Sequence, residues 1–249
     1  MIAVARSNQQ EKGGLTPLKG RPLELVLLHA LPFGGSMWTE QRDILPGRTH
    51  IPTMYGLGET LPQWASRILS DLDGDRLIVV GNSVGGSCAL EMAALAPERI
   101  AALVLIGAKA GHRRDPALRS EALELLRNSS AETAWERYWD PLISASTPSK
   151  VRARAKLWAK NVGWKAISMG IDAFHTKPSR EDLPTHLKCP VLCISGNHDV
   201  APGPLIMGKQ ARLATDGRPT IIPGCGHYVP FEKPTALNEI PNRLIDELA

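Results

Sequence analysis

Short apolar runs recur along the chain, and each is followed by a turn that contains glycine. Runs of this length without alternation are typical of strands buried on both faces, as in a parallel sheet covered by helices. The sequence predicts five such strands: Leu25–His29, Leu77–Val80, Ile100–Ile106, Val191–Ile194 and a less apolar one at Thr220–Ile222.

Amphipathic stretches with helical spacing lie between several of these strands. They predict helices over Pro62–Leu72, Val84–Leu95 and Ala201–Ala214, and a last helix after Pro234. Strands that alternate with helices indicate an α/β fold with a mostly parallel, doubly wound sheet.

The alternation is interrupted once, between residues 111 and 187. We therefore predict that residues 1–110 and 188–249 form one core domain and that 111–187 form a small helical lid inserted in it. Four of the six tryptophans lie in this lid, and their spacing fits either core packing or contact with a bound molecule. The predicted lid helices are Pro116–Arg127, Ala131–Trp139, Ser149–Asn161 and Lys165–His175.

Composition and charge are those of an ordinary globular protein. Of the 249 residues, 43% are apolar and 22% are charged, which suits a single catalytic domain with an insertion. A net charge of +4 gives no support to nucleic-acid binding. The segment 141–171 contains six basic residues and no acid, which fits either the solvated face of a helix or a surface that attracts anionic substrates.

The cysteines and the N-terminal segment give no sign of export. The four cysteines lack both CxxC spacing and the density of a disulfide scaffold, so we expect reduced thiols. Residues 1–20 lack the apolar run of a signal peptide, and no stretch approaches the ~20 apolar residues of a membrane span. We expect a cytoplasmic protein with a small-molecule substrate and no nucleic-acid or membrane partner. Nothing in the sequence indicates an oligomeric state.

The chemistry is concentrated in the segment Gly81-Asn82-Ser83-Val84-Gly85, which joins an apolar strand to a helix. A turn this tight strains the serine backbone, and a β-carbon at either glycine would collide with the neighbouring strand and helix. The turn lifts the Ser83 hydroxyl above the sheet, at a helix N-terminus whose dipole favours a developing anion. Ser83 is therefore the predicted nucleophile.

A serine nucleophile needs a base, and the base needs an orienting acid. His227 is the predicted base because it lies in a Gly- and Pro-rich loop after the last strand, where α/β folds place their sites. Asp199 is the predicted acid, since it follows a glycine turn after the fourth strand. The adjacent His198 is rejected as the base because neighbouring residues on a turn point apart. The lid histidines are expected at the surface: His112, His175 and His186.

Acyl transfer also requires hydrogen-bond donors aimed at the oxyanion. One predicted donor is the backbone N–H of Val84, directly after the nucleophile, and the other comes from the loop after the first strand. Phe33 in that loop and Trp158 in the lid are candidates to contact the substrate. The sequence contains no HExxH-like metal cluster and no dinucleotide-binding glycine motif, so we predict neither a metal nor an organic cofactor.

These motifs resemble the α/β-hydrolase superfamily over nearly the whole chain from about Leu23. The segment His29-Ala-Leu-Pro32 resembles the family's His-Gly-x-Pro element, which implies that Leu31 supplies the second oxyanion N–H and that His29 is structural. Asp199 and His227 match the family's acid and base positions. The short lid is similar to that of oxoadipate enol-lactonases and small carboxylesterases, and Gly-Asn-Ser is shared with meta-cleavage-product C–C hydrolases.

The sequence differs from the family pattern near the pocket. Ala30 stands where a glycine is usual, and Thr53 and Tyr55 replace the usual aspartate and arginine of the element after the next strand. These differences concern the loop geometry and the subfamily rather than the three predicted catalytic residues.

The residues and the resemblance together favour a serine hydrolase that cleaves a carboxylic ester, lactone or thioester of a small molecule through an acyl-enzyme. Relatives of this fold also act as C–C hydrolases, lyases, cofactor-free oxygenases and perhydrolases, so the fold alone does not select the reaction. A third interpretation is a ligand receptor that retains the triad without turnover.

Overall fold

The computed structural model describes residues 21–249, and its centre is a sheet of six parallel strands in the order β2-β1-β3-β4-β5-β6. The predicted absence of a signal peptide and the predicted start of the core at residue 1 concern residues outside this range. The strands are β1 (Glu24–Leu28), β2 (Thr49–His50), β3 (Leu77–Asn82), β4 (Ile100–Ile106), β5 (Val191–Gly196) and β6 (Gly217–Ile222).

All five predicted strands are present, with ends that differ by up to three residues. The sixth strand, β2, was not predicted because its two residues are too few to show a periodicity. Every residue of β3 and β5 is buried, which explains why these strands are continuous apolar runs in the sequence. The α/β-hydrolase fold class is therefore confirmed.

Helices cover both faces of the sheet. Of the core helices, α2 has the predicted bounds, and α10 begins at the proline itself rather than after it. The core helices are α1 (Leu61–Ser70), α2 (Val84–Leu95), α8 (Pro204–Ala211), α9 (Val229–Glu232) and α10 (Pro234–Leu248).

The chain between β4 and β5 is helical and contains no strand among residues 111–187. Here the predicted helix Ala131–Trp139 is divided, because its second half, Trp135–Trp139, is wound as a π-helix. The indole N–H of Trp135, the first residue of the π-helix, donates to Oδ1 of Asp140, the residue that follows it, at 3.1 Å. The helices of this segment are α3 (Pro116–Asn128), α4 (Ala131–Ala134), α5 (Ser149–Val162), α6 (Trp164–His175) and α7 (Leu183–His186).

Two further predictions can be compared with the described residues. The four cysteines are free thiols, three of them buried. Within residues 21–249, no helix has both the length and the apolar character that crossing a membrane requires.

A buried carboxylate, that of Glu232 in α9, ties the helical segment to the core. Its Oε2 accepts hydrogen bonds from Ser144 N at 2.9 Å and from Thr147 Oγ1 at 2.7 Å, both in the helical segment. The same carboxylate accepts from the core residues Gly226 N and Tyr228 N, each at 3.0 Å. One side chain therefore satisfies four donors, and two of these belong to residues that flank His227.

We expect Glu232→Gln to lower the free energy of unfolding by about 1–3 kcal/mol, because an amide NH₂ would face buried donors and leave at least one without an acceptor. Urea unfolding followed by circular dichroism measures this change. The control is Glu239→Gln on the exposed face of α10, which should change stability by less than about 0.5 kcal/mol. If the Glu232→Gln protein were as stable as this control, the hydrogen bonds to Glu232 would not hold the helical segment to the core.

Candidate active site

The turn between β3 and α2 holds Ser83 in a strained conformation. Its φ is 56° and its ψ is −116°, and it is the one non-glycine residue with positive φ in residues 21–249. Glycine is required on both sides of it, because a β-carbon on Gly81 would collide with the backbone of Gly85, and one on Gly85 with the carbonyl of Leu28. These contacts press the first turn of α2 against the sheet and leave Ser83 at its apex.

Asp199 and His227 form a buried pair beside this turn. The imidazole Nδ1 lies 3.1 Å from both carboxylate oxygens, and the two residues are 5% and 3% exposed. Burial opposes ionisation of Asp199, but hydrogen bonding to His227, the charge of that imidazole and the N–H of Ala201 outweigh it and lower the pKa of Asp199. An ionised carboxylate on Nδ1 fixes the tautomer that leaves Nε2 free to accept a proton.

Gly107, the residue after β4, lies directly against this pair. Its φ is +55°, and a β-carbon there would lie 2.7 Å from His227 Cε1 and 3.0 Å from Asp199 Oδ2. The structure gives this position a role of its own, because only a residue without a side chain leaves room for the imidazole.

The Asn82 side chain connects the Ser83 turn to the end of β4 and to the loop that carries His227. Its Nδ2 donates to Ile106 O at 3.0 Å and to His227 O at 3.1 Å, while Ser83 N donates to Ile106 O at 2.8 Å. The residue before the nucleophile therefore holds the backbone of the His227 loop. This gives a physical reason for asparagine in the Gly-Asn-Ser segment.

Ser83 and His227 line one cavity of about 540 Å³ between the sheet and the helical segment. This volume lies in the range of small-molecule sites. The walls are largely apolar and include Leu118, Trp139 and Ile171. Within residues 21–249 the Ser83 hydroxyl makes no hydrogen bond to His227; such bonds are often long without substrate and tighten when it binds.

The two predicted oxyanion donors belong to different core elements. Val84 is the first residue of α2, and Leu31 lines the cavity. Neither N–H donates a hydrogen bond to another described protein group. The hydroxyl of Tyr228 donates to Leu31 O at 3.2 Å and so helps to fix the orientation of this loop.

The structure does not bring the two candidate substrate contacts to the cavity. Phe33 is fully buried in an aromatic cluster, with its ring 4.9 Å from that of Tyr228 and 5.3 Å from that of Phe231. Trp158 also packs against Phe231, with the two ring centres 6.0 Å apart, and the Arg154 guanidinium lies over the Trp158 ring. Neither Phe33 nor Trp158 is part of the cavity wall.

Three of the six other histidines bear on the site. His198 donates or accepts at 2.7 Å with Ser144 Oγ and lies outside the cavity wall, consistent with its rejection as the base. His175 was expected at the surface, but it lines the cavity. Burial lowers the pKa of His29 to about 4, so its neutral ring accepts from Met54 N at 3.1 Å as a structural residue.

Sequence reasoning also missed Lys177 and Ser87, which line the same cavity. Their Nζ and Oγ atoms are 2.7 Å apart. Ser87 has a local signal, because it lies one helical turn after the nucleophile. Lys177 has none, since its direction depends on how the helical segment packs on the core. In the described chain no three His, Cys, Asp or Glu side chains cluster as metal ligands.

Comparison with known proteins agrees with this architecture. The chain is 37% identical over 92 residues to a pimeloyl-[acyl-carrier protein] methyl ester esterase of Aromatoleum aromaticum, a match that covers 34% of this chain and 36% of the relative. It is 33% identical over 106 residues to a 2-hydroxy-6-oxo-2,4-heptadienoate hydrolase of Pseudomonas putida, covering 36% of this chain and 38% of the relative. The matches thus span little more than a third of these relatives.

The fold extends over nearly the full length of a solved structure. A thermophilic esterase of Thermogutta terrifontis superposes with a TM-score of 0.81 at 23% identity, covering 92% of both chains. The sequence model of the alpha/beta hydrolase family matches residues 25–240. This chain therefore belongs to the alpha/beta hydrolase family.

Proposed function

We propose that this protein is a serine hydrolase that cleaves a carboxylic ester, lactone or thioester of a small molecule. The observation that carries the proposal is the meeting of the strained Ser83 turn and the buried Asp199–His227 pair at one cavity. The match to the family and the esterase among its relatives support the same reaction class.

In the first step, Ser83 Oγ attacks the carbonyl carbon while His227 Nε2 takes the hydroxyl proton. The carbonyl electron pair moves onto its oxygen, which the N–H groups of Leu31 and Val84 stabilise. Asp199 stabilises the imidazolium. Collapse of the tetrahedral species breaks the bond to the leaving group, which receives the proton from His227.

In the second step, His227 takes a proton from water, and the resulting hydroxide attacks the acyl-enzyme. A second tetrahedral species collapses, Ser83 regains its proton from His227, and the carboxylic acid is released. This chemistry requires no group beyond the residues of the site and water.

A second candidate reaction is hydrolysis of a carbon–carbon bond. The observation that favours it is the similarity to the 2-hydroxy-6-oxo-2,4-heptadienoate hydrolase of Pseudomonas putida. Since this reaction would use the same cavity, a vinylogous 1,5-diketone should be assayed beside the esters. Faster turnover of the diketone than of every ester would favour the second reaction.

We expect Ser83→Ala to lower kcat/KM for 4-nitrophenyl esters by at least ~10³-fold, because alanine cannot form the acyl-enzyme. A series of acyl chains from acetyl to octanoyl provides the assay. A loss of less than about tenfold would exclude Ser83 as the nucleophile.

A fluorophosphonate probe tests the same residue covalently. Ser83 and Ser87 share the tryptic peptide 77–99, so fragment ions must locate the adduct. We expect the adduct on Ser83 and none on the Ser83→Ala protein. An adduct on Ser87 would contradict the assignment.

We expect Gly107→Ala to lower kcat/KM by about 10²-fold, because its β-carbon would displace the His227 imidazole. The matched control is Gly47→Ala, which also has positive φ, at +75°, but meets no atom within 4 Å. Both variants should lose a similar ~1–2 kcal/mol of stability for the left-handed backbone. Equal ester turnover in the two variants would contradict the role of Gly107.

A further inference from the structure

The cavity wall contains a buried ammonium group that the proposed mechanism does not use. Lys177 lies just after α6, where the chain returns from the helical segment toward the core, and only 5% of its surface is exposed. A lysine is rarely buried to this extent unless it is paired with an anion. We therefore ask which groups of the protein contact the Lys177 ammonium.

Among the residues that the structure describes, the direct partners of the Lys177 ammonium are all neutral. Its Nζ donates to Ser87 Oγ at 2.7 Å and to Lys109 O at 3.3 Å, and it lies 5.1 Å from the centre of the Phe174 ring. Within residues 21–249, no carboxylate oxygen forms an ion pair with this nitrogen. Since an ammonium has three N–H donors, one donor remains beyond these two bonds.

The nearby carboxylate of Glu91 is already engaged. Arg180 binds it through two hydrogen bonds, Nε to Oε1 at 3.0 Å and Nη2 to Oε2 at 2.6 Å. Burial, with a smaller contribution from the charge of Lys109, lowers the pKa of Lys177 to about 8, while the charge of Glu91 opposes the change. The group is thus mostly protonated at pH 7, and a buried charge without a counter-ion is costly for the protein.

The position of this charge relative to the nucleophile follows from helix α2. Ser87 N donates to Ser83 O at 3.0 Å, so Ser87 lies one helical turn after Ser83. Both line the cavity, as does Lys177. The ammonium therefore lies about one turn along the cavity from the hydroxyl that attacks the substrate.

We infer that Lys177 and Ser87 form a subsite that binds a carboxylate carried on the acyl part of the substrate. The ammonium supplies the charge and its remaining N–H, and the Ser87 hydroxyl, which accepts from the ammonium, keeps its own hydrogen to donate. The substrate class is then the half-esters of short dicarboxylic acids, whose free carboxylate lies a few carbon atoms from the reacting carbonyl. This inference rests on the proposed hydrolase function for the reaction but not for the binding.

The first test compares 4-nitrophenyl hydrogen adipate with its uncharged methyl ester. We expect the native enzyme to prefer the anionic substrate in kcat/KM. Lys177→Met should lower this preference by about 10- to 100-fold, the effect of losing a charged hydrogen-bond partner. Methionine has a similar length and removes a buried charge, so the variant should fold. Lys177→Arg, which keeps the charge, should retain part of the preference.

The control is Lys165→Met, an exposed residue of α6 outside the cavity wall, which removes the same charge and should leave the preference within about twofold. Loss of activity on both esters by the same factor in Lys177→Met would show a merely structural role and overturn the subsite. The subsite would also be overturned if the native enzyme hydrolysed the anionic ester no better than the uncharged one.

The second test measures binding without turnover. Titration calorimetry with adipate on Ser83→Ala should give a Kd at least about tenfold lower than on Ser83→Ala/Lys177→Met. If no ester is hydrolysed but adipate binding still depends on Lys177, the hydrolase proposal fails and the subsite stands. Equal affinity in the two variants would overturn the subsite, whatever the esterase assays give.

Discussion

The whole site depends on how closely helix α2 approaches the sheet as it leaves strand β3. At Gly81 and Gly85 backbone meets backbone with no space for a β-carbon, and a β-carbon on Gly86 would collide with that of Ala108. Contacts this close leave one path for the chain, and that path holds Ser83 at φ 56°. The cost of this strained residue is met by the buried strands and helix on either side, in which almost every side chain is apolar.

His227, the proposed base, is held by contacts with the same core as well as by its own loop. Asn82 bonds the backbone of His227, Gly107 makes room for the ring, and Glu232 accepts from the residues on both sides of it. Because Glu232 also accepts from Ser144 and Thr147, the helical segment is attached to the loop that carries His227. The Ser83 turn, the His227 loop and the helical segment are thus parts of one packed unit.

The parts of the site that could be predicted are those with a local sequence signal. The Ser83 turn is specified by its own glycines, and Asp199 and His227 follow strands whose apolar runs are plain. No local pattern could direct the side chains of the helical segment, because its contacts join residues far apart in the chain, such as Lys177 and Ser87. The same limit explains why Phe33 and Trp158, the two candidate substrate contacts, pack against Phe231 and are not part of the cavity wall.

The same division separates the residues proposed to react from the residues that set which ligand the cavity accepts. The groups proposed to react lie on the ends of strands and on α2, where the sheet fixes them. The apolar walls and the Lys177 ammonium come largely from the helical segment, which the sheet does not constrain. A change in that segment can therefore alter the charge and shape that the cavity accepts while the Ser83 turn and the Asp199–His227 pair stay in place. Since fold alone does not select a substrate, the uncompensated charge of Lys177 is the most specific information the cavity carries about its ligand.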